Sequence, residues 1–438
     1  MKDFAISDAP RVQRQLDRLG QLSVPQGRLG LEIIEGLLER LGNPQNHLPP
    51  VFHVAGTNGK GSTCTYLRHM LEAQGLRVHS ATKPHLVRYN ERIRLDGQLV
   101  GDDLLADLLA EVLDANEAGE DLGPSFFEVT TAAIFLAFAR TPADACVIEV
   151  GLGGRLDATN VIPGPVATGI ATLGIDHEGF LLRPEEGAPQ EPLARIAWEK
   201  AGIARKGAPM VTQSYPDIAR QQVEAQCAAV GAPLFMHGRD WWADIGQTIA
   251  YRDAQGSLDL PLPMLAGVHQ AENAALAVAL LRHQSRVQVS PEAMAQGIRA
   301  ARWPARLQLL GQGPLTDLAP GREVWLDGGH NVDAGLAIGR HFADRAPVHL
   351  VLGMLANKDP SAILAPLAGH LRSVSVVPAP SHDAHTPADF ADHIHLPISA
   401  HADVEQALRA LPPEGDVLIC GSLYLAGDVL RRNEEFPD

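Results

Sequence analysis

The chain has 438 residues, 45% of them hydrophobic and 20% charged, the composition of a folded protein too long for one core, so two or three packed units are expected. Its 36 Lys and Arg against 52 Asp and Glu leave a formal charge of −16, a field that repels polyphosphate backbones and anionic membranes and argues against both as partners. No run of about 18 uncharged apolar residues occurs, and the N-terminus is charged where a leader would be apolar, so the expected address is cytoplasmic.

After a polar first stretch, the apolar run at residues 51–55 reads as a short buried strand. Residues 61–74, with Leu67, Met70 and Leu71 on one face, read as a helix. A glycine-rich turn joins the two. Helical patterns at residues 102–118 and 127–140 then alternate with apolar runs at 145–150, 166–172 and 209–212, which predicts a largely parallel sheet covered by helices. Residues 181–192, rich in Glu, Pro and Gly and without periodicity, read as a surface loop with no assigned chemistry. Ala-rich helices run from residue 270 to about 301, where Arg302-Trp303-Pro304 ends them, because proline cannot extend a helix and restrains the residue before it. The pattern restarts with strands at 323–326, 348–352, 373–377 and 417–420. The expected fold is α/β: a P-loop-containing, mostly parallel sheet domain over residues 1–301 and a smaller Rossmann-like α/β domain over residues 302–438. Cys64, Cys146, Cys227 and Cys420 lack the close pairs of zinc or redox motifs and are expected to be buried, reduced thiols.

The turn Gly56-Thr57-Asn58-Gly59-Lys60-Gly61-Ser62 supplies glycines that let backbone N–H groups approach phosphate oxygens, a lysine to meet their charge, and a hydroxyl for a metal ion. It also opens a helix, whose N-terminus favours anions. The generic P-loop, G-x-x-x-x-G-K-[ST], is longer; here only Thr57 and Asn58 separate Gly56 from Gly59 and Lys60. A plain strand-to-helix turn with a solvated lysine is the competing reading, but two glycines flanking a lysine directly after a buried strand favour phosphate. A GTPase would need Asn-Lys-x-Asp to read guanine, and Asn357-Lys358-Asp359 lacks the intervening residue.

GTNGKGS, together with PHLVRYNERI at residues 84–93 and EVGLGGRLDATN at residues 149–160, resembles the folylpolyglutamate synthase and dihydrofolate synthase family, relatives of the Mur peptide ligases. The resemblance continues in family order through Asp176-His177, WEKAGI at 198–203, GVHQAENAALA at 267–277, WPARL at 303–307 and DGGHN at 327–331. It implies a monomeric ligase that binds ATP between its domains, phosphorylates a carboxylate and lets the amine of L-glutamate attack the acyl phosphate. The implied acceptors are dihydropteroate, which gives dihydrofolate, and tetrahydrofolate species, whose glutamate tail is extended. A Mur-type ligase of cell-wall precursors is the nearest rival and does not explain the close GTNGKGS and DGGHN matches. A non-catalytic phosphate-binding regulatory module would need no second substrate pocket.

The same resemblance distributes roles. ATP falls to Gly56, Thr57, Asn58, Gly59, Lys60, Gly61 and Ser62, with Asn273 near the adenine, Arg306 on the phosphates and Asp327 at ribose hydroxyls. Glu149 closes a buried strand, where a carboxylate suits a hard cation; by resemblance it and Ser62 hold Mg²⁺, and His177 joins Glu149 on a second Mg²⁺. Lys200 is similar to a family lysine that takes up carbon dioxide, becoming an anionic oxygen ligand; this requires a neutral amine and hence burial that lowers its pKa. A monovalent cation is also implied. Catalytic roles fall to Lys60, Glu149, His177, Lys200 and His330. The substrates would meet Lys83, His85, Ser125, Phe127, Arg155, Asp157, Ala158, His330 and Ser422, with Phe127 stacking on a flat pterin ring, Arg155 meeting an anion, and His330 and Ser422 receiving glutamate. Phe127 as ordinary core, Asp327 as a turn residue and Ser422 as a helix cap are the competing readings. Lys83 departs from the family, which has serine there. A protonated lysine cannot ligate Mg²⁺, so either Thr82 and water substitute or the ammonium itself neutralises phosphate charge, the reading preferred here.

Overall fold

A computed structural model describes residues 6–22, 30–119, 122–380 and 382–437; the charged residues 1–5 used above lie outside the described residues. Its contacts divide the chain into two compact units. The first comprises Met1–Lys83, Arg88–Met264 and Gln270–Ala301, and the second Pro84–Val87, Leu265–His269 and Arg302–Asp438.

The first unit is built on strands β1 (Val51–Ala55), β2 (Val78–Ala81), β3 (Arg94–Leu95), β4 (Gln98–Leu99), β5 (Ala145–Glu149), β6 (Ala167–Ile170), β7 (Met210–Thr212) and β8 (Leu234–Met236), in the order β4-β3-β2-β5-β1-β6-β7-β8. From β2 through β8 the pairing is parallel, and only the β2–β3 and β3–β4 pairs at one edge are antiparallel. Every residue of β1, β5 and β6 is buried, as expected of strands covered on both faces. The helix after β1 spans Lys60–Ala73 and buries Leu67, Met70 and Leu71 completely, each contributing on the order of 2 kcal/mol. The Phe126–Arg140 helix is so apolar that its residues from Val129 to Phe138 are all buried. It packs in one cluster with Leu105, Leu108 and Leu109 of the Asp102–Glu117 helix and with Val12, Leu16 and Leu19 of the Pro10–Gln21 helix.

A second, antiparallel sheet went unread in the sequence: β9 (Trp241–Ile245), β10 (Ile249–Asp253) and β11 (Gly256–Leu260), in the order β11-β10-β9. Trp241 and Tyr251 stack within it with ring centroids 5.9 Å apart. The second unit is an α/β sheet of β12 (Gln308–Leu309), β13 (Val324–Leu326), β14 (Val348–Leu352), β15 (Leu371–Val376), β16 (Ile398–Ala400) and β17 (Val417–Cys420), ordered β12-β13-β17-β14-β15-β16, with only β12 antiparallel. All four cysteines are free and buried. No helix among the described residues is long and apolar enough to cross a membrane.

Candidate functional site

Because β1 lies between β5 and β6 and all three are parallel, the loops that leave them emerge at one end of the sheet, the position where open α/β sheets bind ligands. Those loops carry residues 56–59, 150–157 and 171–177.

The loop after β1 is pinned to the exit of β6: Thr57 N–H donates to Thr172 O at 2.7 Å, Thr57 Oγ1 to Gly174 O at 2.8 Å, and Thr172 Oγ1 to Asn58 O at 3.0 Å. Gly59 has φ 81°, and a Cβ there would lie 2.4 Å from Asn273 Oδ1, so only glycine fits this position on both counts. The structure thus packs Asn273 against the phosphate loop. Gly59 is the N-cap of the following helix and no side chain caps it. Lys60 folds back on its own loop, Nζ donating to Gly56 O at 3.0 Å and Thr57 O at 3.1 Å. Ser62 is buried one turn on.

The loop after β5 is organised by Asp157. Its Oδ2 accepts from Gly151 N–H at 3.0 Å and Leu152 N–H at 2.8 Å, while Oδ1 accepts from Thr159 N–H at 3.0 Å and Thr159 Oγ1 at 2.5 Å. His53 of β1 supports this from beneath, its Nε2 lying 2.8 Å from Thr159 Oγ1. Burial, reinforced by Arg205 and Lys83, pushes His53 down to about 3. Ala158 is buried in the same turn. A Cβ at Gly151 would lie 2.4 Å from Phe127, so the half-buried Phe127 ring rests directly on this backbone.

Glu149 is buried at the end of β5, and its Oε2 accepts from Lys83 N–H at 3.0 Å. The Lys83 ammonium donates to Glu149 O at 3.4 Å and sits 4.0 Å from the Phe127 ring centroid. Burial pushes Lys83 down to about 8, against the opposing pull of Asp157 and Glu149. Ser125 caps the Phe126–Arg140 helix in a box with Glu128, so its hydroxyl already serves the fold.

The third loop brings Asp176 and His177 to a small cavity shared with Gly56, Thr57, Lys60, Gly151, Gly153 and Lys200. His177 takes a left-handed backbone, φ 54°, and its Nε2 is 4.0 Å from Asp176 Oδ2. Lys200 is buried near the end of the Pro192–Ala201 helix; burial and the nearby Lys60 push it down to about 7. Among the described residues no group of three or more His, Cys, Asp or Glu side chains is gathered to hold a metal ion. Of the residues expected to hold Mg²⁺, His177 and Lys200 line this cavity together with Asp176, whose carboxylate is the kind of oxygen donor a hard divalent ion takes.

Arg155 belongs to a charge network that the sequence reading missed. Its Nη2 donates to Glu185 Oε2 at 2.7 Å and to Glu199 Oε1 at 3.0 Å. Arg195 Nη2 donates to the same Glu185 oxygen at 2.7 Å. Both guanidinium groups lie over the Trp198 ring, 4.2 and 4.7 Å from its centroid. The loop read as carrying no chemistry therefore contributes Glu185. The only sequence signal was a run of acidic residues facing two arginines, which surface charge produces everywhere.

In the second unit, Asp327 is buried at the end of β13 and spends both oxygens on its own turn, Oδ2 accepting from Leu307 N–H at 2.7 Å and Oδ1 from Gly329 N–H at 2.6 Å. Burial pushes its carboxyl up, opposed by Arg306. Arg306 Nη1 donates to Ala305 O at 3.2 Å. His330 Nδ1 is 3.0 Å from Gly328 O. Asn331 caps the Val332–Phe342 helix by accepting from Ala334 N–H. Ser422 caps the Leu423–Arg432 helix by accepting from Tyr424 N–H at 3.1 Å. His85 lies in the Pro84–Val87 stretch counted with this unit.

The chain is similar to folylpolyglutamate synthase of Lacticaseibacillus casei, 33% identical over 415 residues covering 90% of this chain and 92% of that protein. It is equally similar to dihydrofolate synthase/folylpolyglutamate synthase of Escherichia coli, 33% identical over 416 residues covering 92% and 90%. Among solved structures it matches E. coli FolC in complex with DHPP and ADP with a TM-score of 0.84 at 30% identity, covering 97% of both chains. The bifunctional folylpolyglutamate synthase/dihydrofolate synthase of Yersinia pestis, complexed with AMPPNP and Mn ion, matches with a TM-score of 0.81 at 30% identity, covering 98% and 99%. No protein-family model matches the sequence.

Proposed function

Because the chain belongs to the folylpolyglutamate synthase and dihydrofolate synthase family, we propose that it joins L-glutamate to the carboxylate of folate-type acceptors, dihydropteroate and tetrahydrofolate species, driven by ATP. The observation that carries this reading is the gathering of Lys60, Asp176, His177 and Lys200 with Gly56 and Thr57 around one cavity at the carboxyl ends of β1 and β6. The acceptor carboxylate attacks the γ-phosphorus of ATP, releasing ADP and leaving an acyl phosphate. The glutamate amine then adds to the acyl carbon, and the tetrahedral adduct collapses with loss of inorganic phosphate.

In this scheme the N–H groups at the start of the Lys60–Ala73 helix and the Lys60 ammonium receive phosphate oxygens, Lys60 exchanging its two loop carbonyls for them. Asn273 steadies Gly59 from behind. A divalent ion held by Glu149 and Ser62, with His177 and a carboxylated Lys200 completing a second position, would supply charge neutralisation when bound. Lys200, lowered to about 7, is half neutral near neutral pH, the form that takes up carbon dioxide; density for a bare ammonium in a crystal grown with bicarbonate would reject this. A monovalent cation beside the phosphates is the remaining element of the reading, and unchanged turnover on exchanging Na⁺ for K⁺ would remove it. Lys83 acts as a fixed cation between Glu149 and Phe127. Phe127, Ala158 and Arg155 receive the pteroate-bearing acceptor, with Asp157 and Ser125 shaping the backbone around it. Arg306 and Asp327 serve the nucleotide; His85, His330 and Ser422 serve the acceptor and glutamate. A cytoplasmic monomer is the form we assign to it.

The test is release of ADP from ATP and Mg²⁺ in the presence of glutamate with either acceptor. Release with at least one acceptor is expected, and none above background with either rejects the function. The same assay on Lys83→Ser, run across Mg²⁺ concentrations, should show a raised Mg²⁺ requirement; an unchanged Mg²⁺ curve and turnover would remove the role given to Lys83.

A further inference from the structure

Two arginines and two glutamates form a closed, charge-balanced group on the Trp198 ring, and the two carboxylates are held differently. Glu199 is buried, its side chain 5% exposed, and reaches both Arg155 and Arg195 from within the Pro192–Ala201 helix. Glu185 is 41% exposed and comes from irregular chain containing Pro184, Gly187 and Pro189. It meets both guanidinium groups through a single oxygen, Oε2. Arg195 is fixed independently, with Nε donating to Leu181 O at 3.1 Å and its side chain 6% exposed.

Arg155 is not fully satisfied. It uses Nη2 for both carboxylates, while its Nε is buried without a hydrogen-bond partner. A guanidinium binds a carboxylate best through two parallel N–H bonds, and the contact with Glu185 forgoes that geometry. An acceptor carboxylate arriving along the Nε edge would satisfy the unmet donor and replace one exposed, single-oxygen ion pair by a forked one. Exchanging one carboxylate for another leaves the charge of the group unchanged.

We propose that Glu185 is a placeholder for the acceptor: in the free enzyme it occupies the anion position on Arg155 that a non-reacting carboxylate, on the glutamate tail of a tetrahydrofolate acceptor, takes, and it leaves when that substrate binds. The proposal rests on the reading of Arg155 as an acceptor contact and adds to it a residue that sets affinity by competition. It also favours anionic acceptors, because a neutral ligand gains nothing from Arg155 that would offset release of Glu185.

The experiment is steady-state ADP release with Glu185→Gln, Glu185→Ala and Arg155→Ala, with thermal melting of each variant. Removing a half-exposed competitor should lower the KM for a tetrahydrofolate acceptor about two- to fivefold in both Glu185 variants, the scale of a surface ion pair, with kcat and the KM for ATP moving far less. Arg155→Ala should raise the acceptor KM, and adding Glu185→Gln to it should then change nothing further. If Arg155→Ala raises KM while the Glu185 variants leave it unchanged or raise it, the placeholder role is overturned and the reading of Arg155 stands. If Arg155→Ala leaves KM unchanged, that reading fails and the placeholder fails with it. A purely structural Glu185 would lower the melting temperature without lowering KM.

Discussion

Each unit has a glycine-bearing turn that leads from a buried strand into a helix, and the two turns treat their helix differently. In the first, between β1 and the Lys60–Ala73 helix, the N-cap is Gly59 and no side chain caps the helix. In the second, between β13 and the Val332–Phe342 helix, Asn331 caps the helix, Asp327 binds the turn with both oxygens, and His330 leans on Gly328 O. Uncapped N–H groups at a helix start must be met by water or by a ligand, and they attract anions. A turn that consumes its own polar groups can offer a ligand only its outward side chains. The contrast favours phosphate at the first turn on physical grounds, and is consistent with the proposal that the second acts through Arg306 and His330.

Removing the charge from the first turn should break this contrast most severely. Lys60→Ala deletes an ammonium that rests on Gly56 O and Thr57 O and that, in the proposed scheme, exchanges them for phosphate oxygens. Turnover should fall at least about 100-fold, the usual cost of losing one donor to developing charge, with little change in melting temperature. If Lys60→Ala keeps turnover within a factor of a few, the uncapped helix start alone holds the phosphates and the lysine is a loop brace.

The two turns should also respond to pH in opposite directions. His53, on the strand that enters the first turn, is held at about 3 by burial, so folding binds its proton less tightly than the unfolded chain, whose histidine titrates near 6.5. The stability it contributes is full above pH 6.5 and is lost as pH falls towards 3; by pH 5 the loss is about 2 kcal/mol. Asp327, under the second, is shifted up, so its contribution is full at low pH and diminishes as pH rises through its folded pKa. Urea unfolding of the wild type and of His53→Gln between pH 7.5 and 5 checks the first part: the variant should lose stability less steeply. Equal slopes would show that His53 stays neutral for some other reason or contributes nothing.

The turns were legible in the sequence to different degrees for the same reason. GTNGKGS follows a strand whose five residues, four of them apolar, are all buried, so its place on the fold follows from pattern alone, and the glycine at position 59 is explained by its φ of 81° and the approach of Asn273. Asp327 and Ser422 lie at equally clear strand ends, yet whether a short polar side chain caps its own turn or faces a ligand is decided by hydrogen-bond geometry a residue or two away. The β9 to β11 sheet was missed although Ile249–Asp253 alternates buried and exposed residues, because the strands are short and their register depends on turns that carry weak signals. Glu185 was missed because its partners, Arg155 and Arg195, come from elements that the sequence does not place side by side.

The smallest effect probes the second unit's habit of capping itself. Ser422 Oγ accepts from Tyr424 N–H at the start of the Leu423–Arg432 helix, so Ser422→Ala should cost about 1 kcal/mol of stability, a typical loss for a cap. That alone would not separate a cap from a contact with glutamate. Ser422→Asp does, because aspartate caps as well as serine and is favoured by the helix dipole, while its negative charge repels the carboxylates of glutamate. If the helix start receives glutamate, the aspartate variant should melt with the wild type and raise the KM for glutamate about tenfold. If it melts with the wild type and leaves that KM unchanged, Ser422 is a cap and nothing more, and the second unit meets glutamate through His330 instead.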